Sequence, residues 1–113
     1  MADCLFCRIV AGEVPATIVA ETADTIAFRD INPQAPVHVL VIPREHHTDI
    51  AALAAADPGL AGRLCADAAA VAKGEGVGGA FRLVFNTGAE VGQSVFHVHC
   101  HVLGGRPFTW PPG

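Results

Sequence analysis

Residues 97–103 read His97-Val98-His99-Cys100-His101-Val102-Leu103, so histidine alternates with an apolar residue three times in succession. That is the period of a β-strand, whose successive side chains point to opposite faces. His97, His99 and His101 therefore share one face, and Val98, Cys100 and Val102 share the other. Same-face neighbours stand roughly 6.5–7 Å apart along a strand. The pattern constrains the fold on both sides at once. The apolar face calls for a core, and the imidazole face calls for water or for partners, because burying unpaired polar rings is unfavourable. A histidine-rich solvated strand is the bland alternative. With three of the chain's six histidines in strict alternation, a working site is the better reading.

The rest of the chain supplies the core. Hydrophobic residues are 51% of the 113 and charged residues 16%, too apolar a mixture for a disordered tail. The length suits one domain, expected over residues 1–113. Segments 17–20, 25–29, 37–42 and 81–86 read as strands, and 96–103 as a fifth that stops at Gly104 and Gly105. Asn32-Pro33-Gln34-Ala35-Pro36 reads as a loop, since two prolines remove backbone donors. Residues 4–10 suit a short helix. Asp57-Pro58 opens a long one, with Asp as N-cap and Pro at the first helical position. There Leu60, Leu64, Ala68 and Val71 form one apolar stripe, and the glycines from Gly74 to Gly79 end the helix. The expected fold class is α+β: a five-stranded, mainly antiparallel sheet with one long and one short helix.

Several partners are excluded or disfavoured. The net charge is -4 and the seven cations are scattered, which argues against long nucleic acid but leaves room for one phosphate. No run of about 18 apolar residues spans a membrane. No basic segment followed by an apolar run opens the chain, so a cytoplasmic location is expected. There the four cysteines stay reduced. Cys65, in an alanine-rich segment, reads as a small buried hydrophobe. Cys4 and Cys7 form a C-x-x-C pair, which suits a redox pair, half of a zinc site, or a helix turn with two small residues.

Two chemistries use a row of imidazoles. It can hold zinc with an open position for water. Alternatively, one imidazole can attack phosphorus covalently while its neighbours bond the phosphate oxygens. The flanking residues favour the second. Gly88, Gly92, Gln93 and Ser94 precede the row; glycine lets backbone amides approach an anion, and Ser94 adds a hydroxyl donor.

The stretch Gly92-Gln93-Ser94-Val95-Phe96-His97-Val98-His99-Cys100-His101-Val102-Leu103-Gly104-Gly105-Arg106 resembles the signature of the histidine triad (HIT) family. The opening Cys4-Leu5-Phe6-Cys7-Arg8-Ile9-Val10 with Gly12-Glu13-Val14-Pro15-Ala16 is similar to that family's start. Asp30-Ile31-Asn32-Pro33-Gln34-Ala35-Pro36-Val37-His38 and Val41-Ile42-Pro43-Arg44-Glu45-His46 are similar to its middle. Trp110-Pro111-Pro112-Gly113 resembles the ending of its nucleotide-binding branch. The resemblance implies a purine nucleoside phosphoramidate hydrolase, which splits the P–N bond of adenosine 5′-phosphoramidates into AMP and an amine. It makes His99 the nucleophile, with His101 and Ser94 bonding phosphate oxygens and His38 supporting the catalytic imidazoles. It puts Asp30 on the ribose and Ile31 against the base, with Asn86, Gly92 and Gln93 as further nucleotide contacts. It also implies a structural zinc on Cys4, Cys7, His46 and His97, not needed for turnover. His47, beside His46, is the less favoured ligand.

The resemblance further suggests that the tail bearing Trp110 reaches a two-fold partner; the bland reading has Trp110 cover its own sheet. A homodimer would also cover the sheet edges and the helix stripe of so small a chain. Two departures stand out. Cys100 fills a slot usually held by a larger aliphatic residue, and Arg29 places a cation beside Asp30. The competing functions are a dinucleoside polyphosphate hydrolase or nucleotidyl transferase using the same nucleophile, and a non-catalytic nucleotide- or zinc-binding module.

Overall fold

The computed structural model describes residues 3–113. Its elements are α1 (Leu5–Val10), β1 (Ile18–Glu21), β2 (Thr25–Arg29), β3 (Val37–Pro43), α2 (Ile50–Ala56), α3 (Pro58–Gly74), β4 (Phe81–Val84), a 3-10 turn at Ala89–Val91, and β5 (Cys100–Gly104). The strands form one sheet in the order β1-β2-β3-β5-β4, and every neighbouring pair is antiparallel. This is the expected α+β sheet. No helix among the described residues is long and apolar enough to cross a membrane.

The pleat sorts the side chains into two layers, because cross-strand partners share a face. Ala27 opposes Val41, Val41 opposes Cys100, and Val39 opposes Val102. Against this face α3 lays Leu60, Leu64, Ala68 and Val71, all buried. The other face carries Phe28 and Leu40, His101 and Val84, then His38, Leu103 and Arg82. There α1 packs Phe6 and Ile9 onto Ile26, Phe28, Leu40 and Ile42. Thus Cys100 lies in the α3 core, where burial pushes its thiol up to about 12, and the histidines lie on the opposite face.

Leu64 is 0% exposed. Leu64→Ala should destabilise the fold by about 3 kcal/mol, the lost transfer energy plus a cavity. A urea titration would show this as a lower midpoint at unchanged slope.

The sequence expectations need five corrections. A third helix, α2, is present. Its segment Ile50–Ala56 is nearly all alanine, so only Leu53 is fully buried and no apolar stripe shows. The signal that could have revealed it is Asp49, whose carboxylate accepts from the Ala52 N–H at 2.8 Å. Asp57 both closes α2, through its N–H to the Leu53 carbonyl at 2.7 Å, and caps α3, accepting from the Leu60 N–H at 3.0 Å. Second, the fifth strand starts at Cys100, not at residue 96. Its partner β3 ends at Pro43, which has no N–H to extend the ladder. The Val98 N–H bonds instead to the His47 carbonyl at 2.7 Å. Third, β4 stops at Val84, two residues early. Fourth, Cys65 is exposed, because it lies about 100° around α3 from the buried Leu64. Fifth, the stripe on α3 is buried on the chain's own sheet and needs no partner to cover it.

Candidate active site and metal centre

His99 is 8% exposed. Its Nδ1–H donates to the His97 carbonyl at 2.8 Å. That bond fixes the tautomer, leaving the lone pair on Nε2. Burial pushes this imidazole below its ordinary 6.5, against the opposing pull of the His97 carbonyl and the Asp30 carboxylate. The ring is therefore neutral at pH 7, as a nucleophile must be. Phe6 meets it edge to face at 5.1 Å between centroids.

A second chain of bonds fixes His101. The Gln34 backbone N–H donates to His38 Nδ1 at 3.0 Å. The hydrogen of His38 is therefore on Nε2, which donates to His101 Nδ1 at 2.9 Å. Its own hydrogen is then on Nε2, a free donor. The Asp30 carboxylate lies 3.4 Å from His38 Nε2, close enough to act on it electrostatically.

Burial pushes His101 down to about 4, helped by His99 and His38. Its folded value lies below the 6.5 of the unfolded chain, so between these values the unfolded state binds the extra proton. Stability is then complete above about 6.5 and declines as pH falls towards 4. Melting temperatures taken from pH 7 to pH 4.5 should fall accordingly, and His101→Gln should flatten that decline.

His99, His101, Ser94, Asp30 and Ile31 all line one pocket of about 250 Å³, whose apolar wall includes Phe6, Ile9 and Phe28. Ile31 is fully exposed at its rim. The other sequence candidates lie elsewhere. His38 sits behind His101. Gln93 is buried, and its side chain is committed to the loop: Oε1 accepts from the Gly88 N–H at 2.8 Å, and Nε2 donates to the carbonyls of Thr48 and Val95. Gly92, at φ 108°, turns that loop beside Asn86, and neither lines the pocket. Arg29 also contributes to the pocket lining, while its guanidinium pairs with Glu75, just past the end of α3, at 2.6 Å.

Cys4, Cys7, His46 and His97 bring one donor atom each to within 4.8 Å of one another. His46 Nδ1 lies 3.3 Å from Cys7 Sγ and 3.2 Å from His97 Nδ1, while His97 Nδ1 lies 3.6 Å from Cys4 Sγ and 3.5 Å from Cys7 Sγ. A tetrahedral zinc with its usual bond lengths spaces such donors roughly 3.3–3.8 Å apart. His97 Nε2–H donates to the Pro43 carbonyl at 2.9 Å, which turns the Nδ1 lone pair towards the sulfurs, the usual outer support of a metal-binding imidazole. Burial pushes His97 down to about 4, so it is neutral. Burial, and then the Cys4 sulfur, push the Cys7 thiol up; a divalent cation reverses this and favours thiolates. The donor set fits zinc. His47 turns away and meets Glu45 Oε1 at 3.0 Å.

The HIT domain profile matches residues 11–108. The chain belongs to the HIT family. A HIT family hydrolase of Legionella pneumophila Philadelphia 1 superposes with a TM-score of 0.93 at 47% identity, covering 98% of this chain and all of that one. The 14 kDa zinc-binding protein of Brassica juncea is 44% identical over 98% of this chain and 100% of its own. The adenylylsulfatase HINT1 of Arabidopsis thaliana is 44% identical over 96% of this chain and 76% of its own. This HIT chain has the fold of a nucleotide-directed hydrolase, with a cysteine–histidine cluster able to hold a metal.

Sequence reasoning missed the apolar wall, chiefly Phe6, Ile9 and Phe28. Their alternation with the opposite-face residues, most visibly Ile26-Ala27-Phe28, carried the signal. It also missed the backbone groups that set the tautomers, namely the carbonyls of Pro43 and His97 and the N–H of Gln34. No side-chain pattern encodes those.

Proposed function

We propose that this HIT protein hydrolyses purine nucleoside 5′-phosphoramidates, releasing a nucleoside monophosphate and an amine. The reading is carried by the tautomer of His99: Nδ1–H held by a carbonyl, Nε2 free, in a pocket shared with His101 and Ser94. The nucleoside lies against Phe6, Ile9, Phe28 and Ile31, with the Asp30 carboxylate on the ribose. Asn86 and Gly92, outside the pocket lining, would meet only the part of the nucleotide that extends beyond it towards the loop, and Gln93 acts through that loop's shape.

In the first step Nε2 attacks the α-phosphorus, the Nε2–P bond forms and the P–N bond breaks. The leaving nitrogen takes a proton. His101 Nε2–H and the Ser94 hydroxyl bond the phosphoryl oxygens as their charge grows. In the second step water attacks phosphorus, the P–Nε2 bond breaks and neutral His99 is restored. The proton that water loses balances the one the amine gained. His38 keeps the donor hydrogen of His101 turned outward.

Cys4, Cys7, His46 and His97 would hold zinc, which when bound would cross-link α1 to the two histidine-bearing segments. A homodimer is part of the same proposal, though Trp110 is 82% exposed on the chain and does not cover its own sheet.

The Arabidopsis relative is named an adenylylsulfatase, so adenosine 5′-phosphosulfate, with sulfate leaving phosphorus, is the competing substrate. A side-by-side assay of adenosine 5′-phosphoramidate, adenosine 5′-phosphosulfate and a diadenosine polyphosphate decides among them. The expected result is the highest kcat/KM for the phosphoramidate, with AMP and amine released one to one. Faster turnover of either other substrate would replace this reading.

A further inference from the structure

On the sheet face opposite the histidines, α3 packs chiefly on β5 and β3 and touches β2 less. Over β1 and β2 this leaves a hollow of about 200 Å³. The sequence opens it. Where larger side chains would close the gap, the helix offers Ala70 and Gly74 and the strands offer Ala20 and Ala27. Val19, Val41 and Val71 continue the wall and belong to the apolar core or pack against it.

One carboxylate stands in this hydrocarbon wall. Thr25 is 2% exposed, and its hydroxyl donates to Asp67 Oδ2 at 2.8 Å. The Thr22 hydroxyl donates to the same oxygen at 3.1 Å, while its own oxygen accepts from the backbone N–H groups of Asp24 and Thr25. The two threonines thus hold Asp67 by Oδ2. Among the described residues, Oδ1 receives no hydrogen bond and Asp67 pairs with no cation. The hollow's other carboxylates are compensated, Glu21 by Arg44 at 3.2 Å and Glu75 by Arg29 at 2.6 Å.

We propose that the hollow between α3 and the β1–β2 edge binds a small primary ammonium ion, with its charge on Asp67 and its hydrocarbon body on the valine and alanine wall. A hydrated divalent metal needs six or more oxygens, and here one uncompensated carboxylate faces carbon. An ammonium on a hydrocarbon body matches both halves of the wall, and its hydrogen bond to Oδ1 is charge-assisted. The threonine hydroxyls fix the carboxylate before the ligand arrives, which lowers the ordering cost of binding. The volume equals that of roughly six or seven liquid water molecules, so the body is a short alkyl chain or one saturated ring. The hollow lies across the sheet from His99, and the inference is independent of the reaction proposed above.

The test titrates the full chain with cyclohexylamine, which is protonated at neutral pH, and with cyclohexanol, its uncharged counterpart of similar shape, followed by amide NMR shifts. Wild-type protein should bind the amine with a Kd on the order of 1 mM and the alcohol about tenfold more weakly, as expected for one hydrogen bond to a charged group. The shifts should centre on Thr22, Thr25, Asp67 and Gly74. Asp67→Asn keeps an oxygen for the threonines and removes the charge. It should lower amine affinity to that of the alcohol and leave the alcohol within about twofold. Ala70→Leu keeps the charge, suits the helix and fills the hollow, so it should abolish the shifts from both ligands.

Equal wild-type affinity for amine and alcohol, or unchanged amine affinity in Asp67→Asn, would overturn the assignment. So would shifts centred on the nucleoside pocket, or displacement of the amine by an equal concentration of calcium ion. Should Asp67→Asn fail to fold, the wild-type comparison and Ala70→Leu still decide.

Discussion

His99→Asn is expected to reduce phosphoramidate turnover by about four orders of magnitude or more, the scale on which removing a covalent nucleophile acts. Asparagine keeps a polar group near the His97 carbonyl but offers phosphorus no basic nitrogen. Folding should survive, because the other face of β5 makes the core contacts through Cys100 and Val102. Nucleotide binding should survive too, because the pocket wall of Phe6, Ile9 and Phe28 is untouched. Rapid-quench kinetics would read the loss, and AMP titration would show whether the pocket remains. Wild-type protein quenched during turnover should carry an acid-labile nucleotidyl group that His99→Asn lacks. A variant that retained turnover within tenfold would remove His99 from the chemistry.

The second large effect concerns the metal. If zinc occupies the four-donor cluster, free zinc a hundredfold above its dissociation constant contributes about 2.7 kcal/mol to stability. In a chain of this size that corresponds to roughly 10 °C in melting temperature. Chelator treatment should lower the melting temperature by this amount, and added zinc should restore it. Cys7→Ala should abolish both responses, since Cys7 Sγ lies within hydrogen-bonding range of both imidazoles in the cluster. Metal analysis of the purified protein should give about one zinc per chain. An unchanged melting temperature in chelator, with no metal found, would leave the four side chains as an ordinary polar cluster.

Much of this was legible in the sequence for a plain reason. Alternation is a two-residue code, and the pleat obeyed it. Val98, Cys100 and Val102 face α3, while the three histidines face the other way, even though residues 96–99 lie outside the hydrogen-bonded ladder. Asp57 and Pro58 marked the start of α3 because a capping carboxylate and a missing N–H act locally. What escaped depends on the third dimension. A segment with only Ile50 and Leu53 among five alanines has little hydrophobic contrast, so α2 left chiefly its cap as a trace. Cys65 was read from its residue type, although the stripe of Leu60, Leu64, Ala68 and Val71 already set it about 100° off the buried face. Gln93 sits in the signature loop, yet its amide is consumed by carbonyls of residues 48 and 95, a pairing no spacing rule contains. The direction of Arg29 followed from which strand face it occupied, and its partner Glu75 lies far along the chain.

One peptide bond joins Phe6 to Cys7, and the two side chains serve different neighbours. Phe6 walls the nucleoside pocket and touches the His99 ring, while Cys7 belongs to the sulfur–nitrogen cluster. The same cluster includes His97, whose carbonyl holds Nδ1–H of His99, so a slackened cluster would be felt both in the fit of the nucleoside wall and in the aim of the attacking nitrogen.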